Sequence, residues 1–167
     1  IDRSIYGNNA SRMNATSVNY TNYKFGEGME FNGVTSWVNT TYFLDSNSSA
    51  FTLEAWVYPR GLGGSKHILG NDRVGSDGTL YTASLLTTVS TFDFQYDGGA
   101  STCDPNCPTA VLNQWQYVAG TWDNNTLRMY LNGALTNSKA ITGTKPKFAT
   151  GDMSHVVGDN LRDDASP

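Results

Sequence analysis

The strongest structural signal in the chain is a strand, a turn, a second strand and a tight hairpin turn. Residues 115–122 and 127–131 are predicted strands, and Asp-Asn-Asn at 123–125 is the turn between them. Asn132-Gly133 follows at once, and this dipeptide favours a two-residue hairpin because both residues tolerate positive φ. In the second strand three apolar residues alternate with Arg128 and Tyr130, which predicts one core face and one outer face.

Similar short strands recur along the rest of the chain. They are predicted at 28–31, 36–40, 51–58, 66–70, 79–86, 89–96 and 155–158, whereas residues 1–24 are predicted to be polar and rich in turns. The run 51–58 alternates most clearly, and Pro59 ends it. Amphipathic helical periods of useful length are missing. We therefore expect an all-β antiparallel β-sandwich, or jelly roll, in which residues 1–167 form a single domain.

Charge and hydropathy exclude two classes of partner. The net charge is −4, the charged fraction is 16%, and the 11 Lys and Arg residues are scattered. A chain without a basic run is not expected to bind nucleic acid. Its apolar stretches are all shorter than the ~18 residues that a membrane span requires.

Two sequence features indicate a secreted or cell-surface protein. Cys103 and Cys107, in Cys-Asp-Pro-Asn-Cys, favour a short-loop disulfide, with two free thiols or a zinc site as the weaker alternatives. N-glycosylation motifs are the second feature. The acceptors are Asn9, Asn14, Asn19, Asn39, Asn47 and Asn124.

Four motifs, in order, carry a family resemblance. They are the opening turn at 2–10, Met-Glu-Phe-Asn-Gly at 29–33 with Trp37-Val38, Phe-Thr-Leu-Glu-Ala-Trp-Val-Tyr-Pro at 51–59, and residues 113–133. The last, Asn-Gln-Trp-Gln-Tyr-Val-Ala-Gly-Thr-Trp-Asp before Leu-Arg-Met-Tyr-Leu-Asn-Gly, is the most specific. Together with Val-Val-Gly at 156–158, these motifs resemble the laminin-G-like domains of the concanavalin A-like lectin/glucanase superfamily.

The resemblance stops short at both ends of the chain. Family members usually begin with a Trp-x-Phe-Asp strand and close with a strand similar to Phe-x-Gly-x-Ile-Asp-Glu-Val. We expect the jelly roll to lack these first and last strands in this chain. Either the sequence is a piece of a longer protein, or a neighbouring subunit supplies a strand, as in a cell-surface filament.

The functional prediction is a non-catalytic recognition or adhesion module that binds an extracellular glycan or protein. The Glu-x-Asp-x-x-Glu strand of the glucanase relatives is missing, and a retaining glycosidase requires two carboxylates about 5–5.5 Å apart. The resemblance implies a calcium site, with Asp2, Asn32, Asp159 and Asn160 as candidate ligands. Candidate ligand-binding aromatics are Tyr58, Trp122 and Tyr130, whereas Trp56 and Trp115 are predicted to be core. The alternative is a glycosylated structural subunit, in a homo-oligomer or filament, completed by its neighbour's strand.

Overall fold

The computed structural model describes residues 7, 10–13, 19–23, 26–33, 36–40, 49–74, 80–96, 100–102, 106–141 and 156–157. Within these ranges the chain is all-β and contains no helix. The strands are β1 (Ala10–Met13), β2 (Asn19–Tyr23), β3 (Gly26–Glu30), β4 (Trp37–Thr40), β5 (Phe51–Val57), β6 (Lys66–Val74), β7 (Leu80–Thr87), β8 (Phe92–Tyr96), β9 (Ala100–Ser101), β10 (Gln116–Trp122), β11 (Thr126–Leu131), β12 (Ala134–Ala140) and β13 (Val156–Val157).

The strands form antiparallel sheets, as the alternating sequence pattern predicts. The larger sheet has the order β1-β4-β13-β6-β7-β8-β9 and the smaller one the order β12-β11-β10-β5, while β2 and β3 form a separate hairpin. This arrangement confirms the β-sandwich prediction. The first 24 residues differ from expectation, because β1 pairs with β4 and β2 with β3. Which strands pair depends on tertiary contacts, and the composition of the segment does not predict these contacts.

The central hairpin forms where the sequence predicts it. Asn132 and Gly133 have φ values of 52° and 84°, as a tight turn between β11 and β12 requires. Asn132 also ties this turn to β10. Its backbone N–H donates to the Tyr117 carbonyl at 2.7 Å, and its Oδ1 accepts the Tyr117 N–H at 2.9 Å.

The core lies between the two large sheets. Tyr96 of β8 stacks on Trp122 of β10, with ring centroids 5.0 Å apart. Gly120 lies under the ring of Phe94, so closely that a Cβ there would be 2.4 Å from Phe94 Cγ. The other buried members are Leu53, Leu85, Phe92, Ala110, Val118, Leu127 and Met129.

A polar network ties Thr102, the residue that follows β9, to both large sheets. Asp93 is 2% exposed, and its carboxylate accepts hydrogen bonds from Ser101 Oγ at 2.8 Å, Thr102 Oγ1 at 3.1 Å and Gln95 Nε2 at 3.1 Å. From the other side, the amide of Asn137 on β12 donates to the carbonyls of Thr102 and Asn106. A buried carboxylate is tolerated here because polar donors surround it.

Candidate ligand-binding site

Four aromatic side chains form two cross-strand pairs where β5 and β10 run side by side. Trp56 faces Tyr117 in register, with ring centroids 5.4 Å apart and planes at 49°. Tyr58 and Trp115 form the next pair, at 5.4 Å and 60°. We call these four residues the aromatic strip. Successive pairs are two residues apart, which is about 7 Å along a strand.

The period-2 alternation of β5 and β10 places the strip on the outer side of the smaller sheet. In β5 the side chain of Leu53 points into the core, whereas Glu54 and Trp56 point outward, and Trp56 is 40% exposed. In β10 Val118 is buried and Tyr117 is half-buried. The prediction that Trp56 is a core residue is therefore wrong, because it shares a face with Glu54 and lies opposite the core residues of its strand.

Glu54 adds a carboxylate to the strip. Its Oε2 accepts the hydroxyl of Tyr117 at 2.5 Å. This hydrogen bond raises the pKa of Tyr117 above its ordinary value, and burial and the negative charge of Glu54 act in the same direction. Tyr117 therefore stays protonated at neutral pH and holds the carboxylate in place, leaving lone pairs on Glu54 for another donor.

A cleft of about 820 Å³ opens beside the strip. One wall is the end of β3 and the turn that follows it (28–33), and the other is residues 54–63 of β5 and the segment after it. Residues 66–69 of β6 and Thr87 of β7 also line the cleft. Arg60 and Glu30 form an ion pair between the two walls at 2.5 Å. Trp56, Tyr58 and Trp115 line the cleft, whose size lies within the ~300–1,000 Å³ of small-molecule sites.

The three predicted ligand-binding aromatics lie in different surroundings. Tyr58 belongs to the strip. Tyr130 lies on the same outer face, on β11, opposite Ala119 of β10. Trp122 is 1% exposed and stacks on Tyr96 in the core, so the structure corrects its assignment to a binding surface.

Sequence reasoning did not select Glu54, Arg60 or Tyr117 as binding residues and assigned Trp115 to the core. The usable signal was the pairing of two alternating strands, since residues 56 and 58 in one and 115 and 117 in the other are all aromatic. Once β5 and β10 are antiparallel neighbours, these residues must meet.

The candidate calcium ligands fall mainly outside the described residues. Asp2, Asp159 and Asn160 lie there. Asn32 is exposed, and its Oδ1 accepts the backbone N–H of Ser36 at 3.1 Å, as a turn residue does. In the part of the chain that the structure describes, no three His, Cys, Asp or Glu side chains are grouped to hold a metal ion.

Asn124 is the glycosylation acceptor whose surroundings the structure describes best. It is exposed, with φ of 74°, in the turn between β10 and β11. Asp123 shapes this turn by accepting the N–H of Thr126 at 2.9 Å, and its bond with Arg128 lowers the pKa of Asp123. Asn19 and Asn39 lie in β2 and β4, and Asn9, Asn14 and Asn47 fall outside the described ranges.

Cys103 also lies outside the described residues, whereas Cys107 is half-buried. The disulfide remains a prediction. As to membrane insertion, none of the described segments is a helix of the length and hydropathy needed to cross a bilayer.

Comparison with known proteins places the chain among lectin-like folds. The laminin-G-type family model of the concanavalin A-like lectin/glucanases superfamily matches residues 32–166. A comparison with curated protein sequences finds no match.

Three solved structures show the same fold at low sequence identity. Domain 4 of AbnA, a GH43 extracellular arabinanase from Geobacillus stearothermophilus in complex with arabinotriose, has a TM-score of 0.66 and 17% identity, over 90% of this chain and 73% of that chain. The botulinum neurotoxin serotype G binding domain has a TM-score of 0.57 and 14% identity, over 91% and 42%. A mutant Trypanosoma rangeli sialidase displaying trans-sialidase activity has a TM-score of 0.52 and 16% identity, over 95% and 28%. The chain thus spans less than half of the last two proteins.

Proposed function

Because this chain belongs to the concanavalin A-like lectin/glucanases superfamily, we propose that it is a non-catalytic recognition module that binds carbohydrate along the aromatic strip. The observation that carries the proposal is the pair of cross-strand aromatic contacts, partly exposed, beside a carboxylate. Sugar rings have apolar faces that pack on aromatic rings, and hydroxyl rims that hydrogen-bond to carboxylates and guanidinium groups.

The charged groups beside the strip give this surface its polar contacts. Glu54 is held by Tyr117 and accepts hydrogen bonds from sugar hydroxyls. Arg60 donates to ring or hydroxyl oxygens with the N–H groups that its pair with Glu30 leaves available. Both members of the ion pair are partly exposed, so the pair itself contributes only about 0–1 kcal/mol and yields readily to a ligand.

A first probe follows from the comparisons. AbnA domain 4, which shares the fold, was solved with arabinotriose. Short neutral oligosaccharides, arabinotriose included, are therefore the first ligands to test on this chain.

Catalysis is not part of the proposal. Among the described residues, two carboxylates line the cleft and both are engaged, Glu54 with the Tyr117 hydroxyl and Glu30 with the Arg60 guanidinium. A glycosidase requires one carboxyl group as a proton donor and a second as nucleophile or base, at a set separation across the scissile bond. Release of reducing ends from a polysaccharide by the wild-type protein, lost in Glu54→Gln, would overturn the non-catalytic assignment.

The test of sugar binding compares Trp56→Ala with Leu135→Ala, using isothermal titration against a panel of neutral oligosaccharides. Leu135 is a matched control because it is also an exposed large apolar residue of the smaller sheet, on β12, two strands beyond β10. We expect Trp56→Ala to weaken binding about tenfold or more, which is about 1.4 kcal/mol, and Leu135→Ala to leave it unchanged. Tyr58→Ala should share the loss, and Tyr130→Ala measures how far the site extends toward β11.

Two results would contradict the proposal. Equal affinities for Trp56→Ala, Leu135→Ala and wild type would show that the sugar does not bind on the aromatic strip. Failure of the wild type to bind any oligosaccharide, with capture of a protein partner instead, would assign this surface to protein recognition.

We further propose that the module works outside the cell as a glycoprotein with a Cys103–Cys107 disulfide. Support comes from the exposed turn that carries Asn124, and from Asn137, which donates to the carbonyls of Thr102 and Asn106, the described residues on either side of 103–105. Calcium bound by Asp2, Asn32, Asp159 and Asn160 stays part of this proposal. Intact mass before and after deglycosylation tests for the glycans. Alkylation under non-reducing conditions tests the disulfide, and calcium titration tests the metal site.

The alternative function, a structural subunit completed by its neighbour's strand, also has a supporting observation. β5 stands at the end of the smaller sheet in the strand order of the described residues. An edge strand of this kind is a template for pairing with another chain.

A further inference from the structure

Glu54 differs from the other carboxylates whose surroundings the structure describes. Glu30 and Asp123 each pair with an arginine, and Asp93 is buried among hydroxyl and amide donors. Glu54 is exposed, and among the described residues its carboxylate accepts a hydrogen bond from the Tyr117 hydroxyl alone. Within the described part of the chain, no cationic side chain therefore balances the negative charge of Glu54.

Two rings of the aromatic strip lie beside this carboxylate. Trp56 is two residues from Glu54 on the outer face of β5, which is about 7 Å along the strand. Tyr117, the register partner of Trp56, reaches from β10 to Glu54 with its hydroxyl. The Trp56 and Tyr117 rings are 5.4 Å apart with planes at 49°, so they form two walls of an open corner that Glu54 borders.

The chemistry of this corner suits a cation. The π face of a tryptophan attracts an ammonium group more strongly than that of tyrosine or phenylalanine, and Trp56 is 40% exposed. The Glu54 carboxylate accepts charge-assisted N–H hydrogen bonds from the same group. A primary ammonium has three donors and a full charge, so it can use the ring face and the carboxylate together, whereas a hydroxyl brings no charge.

The arginine and the lysine that the structure describes in the cleft do not offset this preference. Arg60 is already paired with Glu30. Lys66 belongs to β6 of the larger sheet, whereas Glu54 and Trp56 lie on the outer face of the smaller one. The chain as a whole has a net charge of −4, so its long-range field also attracts a cationic ligand.

We propose that the preferred ligand of the aromatic strip is an amino-sugar chain with free amines, and that one of its ammonium groups lies between Trp56, Tyr117 and Glu54. This inference rests on the proposed function, since it names the class of sugar that the same surface selects. The second pair, Tyr58 and Trp115, lies about 7 Å further along and offers a platform for an adjoining sugar ring. A second platform favours a saccharide over a lysine side chain, which would occupy the corner alone.

The experiment is isothermal titration of the full chain with three β-1,4-linked tetrasaccharides that differ in one substituent of each ring. The tetramers of glucosamine, glucose and N-acetylglucosamine carry there an ammonium, a hydroxyl and a neutral amide. The titrations are run in low salt at about pH 6, where the sugar amines are charged. We expect the glucosamine tetramer to bind about tenfold or more tighter than the other two, and the difference to shrink as salt is added.

Glu54→Gln is the test variant, because glutamine keeps an acceptor for the Tyr117 hydroxyl and removes the charge. It should bring the affinities for the glucosamine and glucose tetramers within about threefold of each other. Asp123→Asn is the matched control, since it also removes one negative charge, in the turn between β10 and β11 and away from the strip. This control should keep the preference for the amine.

Four results would overturn the inference. Equal affinities of the wild type for the glucosamine and glucose tetramers would refute selection for an amine and leave the proposed sugar binding in place. A preference that survives in Glu54→Gln, or that falls equally in Asp123→Asn, would assign the effect to net charge. Tighter binding of a trilysine peptide than of the glucosamine tetramer would assign the corner to protein side chains. Failure of all three tetramers to bind would contradict the proposed function as well.

Discussion

Gly120 has no side chain, and this lets the Phe94 ring of the opposite sheet pack directly on the β10 backbone. The residue lies in the middle of β10, where a strand would ordinarily prefer a larger side chain. The ring of Phe94 from the opposite sheet fills the space above its Cα. The close packing of the Phe94 ring on the β10 backbone depends on the absence of a Cβ at this position.

Gly120→Ala is therefore expected to destabilise the protein by about 1–3 kcal/mol, because the Phe94 ring has to move within a packed core. Urea denaturation measures the change. Gly61→Ala is the control, since Gly61 has open space around its Cβ position and no positive φ, and it should stay within about 0.5 kcal/mol of wild type. Equal free energies of unfolding for the two variants would mean that the core rearranges around Phe94 at little cost.

At the scale of elements, the hairpin of β11 and β12 is coupled to β10 through the side chain of Asn132. The turn alone requires positive φ at Asn132 and Gly133. The bond from the Tyr117 N–H to Asn132 Oδ1 adds a second function, since it continues the β10–β11 pairing beyond the last ladder position. The same element thus sets the turn and steadies the strand that bears Tyr117 of the aromatic strip.

Asn132→Gly separates these two functions, because glycine accepts the positive φ but removes the acceptor for the Tyr117 N–H. We expect a loss of about 1 kcal/mol in the free energy of unfolding, measured with urea. Asn113→Gly is the matched control, as Asn113 also has positive φ but its backbone N–H, which donates to Pro59, survives the change. A loss in the control as large as that in Asn132→Gly would refute a specific contribution of the Asn132 amide.

Strands with their own alternation could be predicted from the sequence, and their partners could not. The predicted strand 51–58 is observed as Phe51–Val57, and the turn at Asn132-Gly133 is confirmed. The predicted strand 66–70 extends to Val74 because β7 pairs along its whole length. The sequence predicted only part of the candidate site because it does not give the strand partners. The aromatic strip shared by β5 and β10 exists only once those two strands are neighbours.

At the scale of the whole molecule, aromatic residues of one type have opposite roles on the two faces of one sheet. Trp122 joins the sheets by stacking on Tyr96, and Phe51 packs beside both rings with centroids 5.7 and 6.1 Å away. Trp56, on the neighbouring strand, points away from the core. A Trp count or a family motif does not separate these roles, because they depend on which face of the strand is covered.

The two tryptophans should respond very differently to truncation. Trp122→Ala is expected to cost about 3–5 kcal/mol, which is a large share of the stability of a domain this size, and to reduce the near-UV circular dichroism of the stacked rings. Trp56→Ala should cost less than about 1 kcal/mol, because its side chain already contacts solvent. Comparable losses in the two urea transitions would contradict the assignment of Trp122 as the residue that joins the sheets.

The turn at residues 123–125 lies at the far end of β10 from Tyr117, six strand steps or about 20 Å away. A glycan attached to Asn124 would therefore leave the aromatic strip open to a ligand. A glycan at Asn19 would have the opposite effect, because Asn19 pairs with Glu30, which lines the cleft beside the strip. The choice of acceptor, and not the number of glycans, would then decide whether a large partner reaches Trp56 and Tyr58.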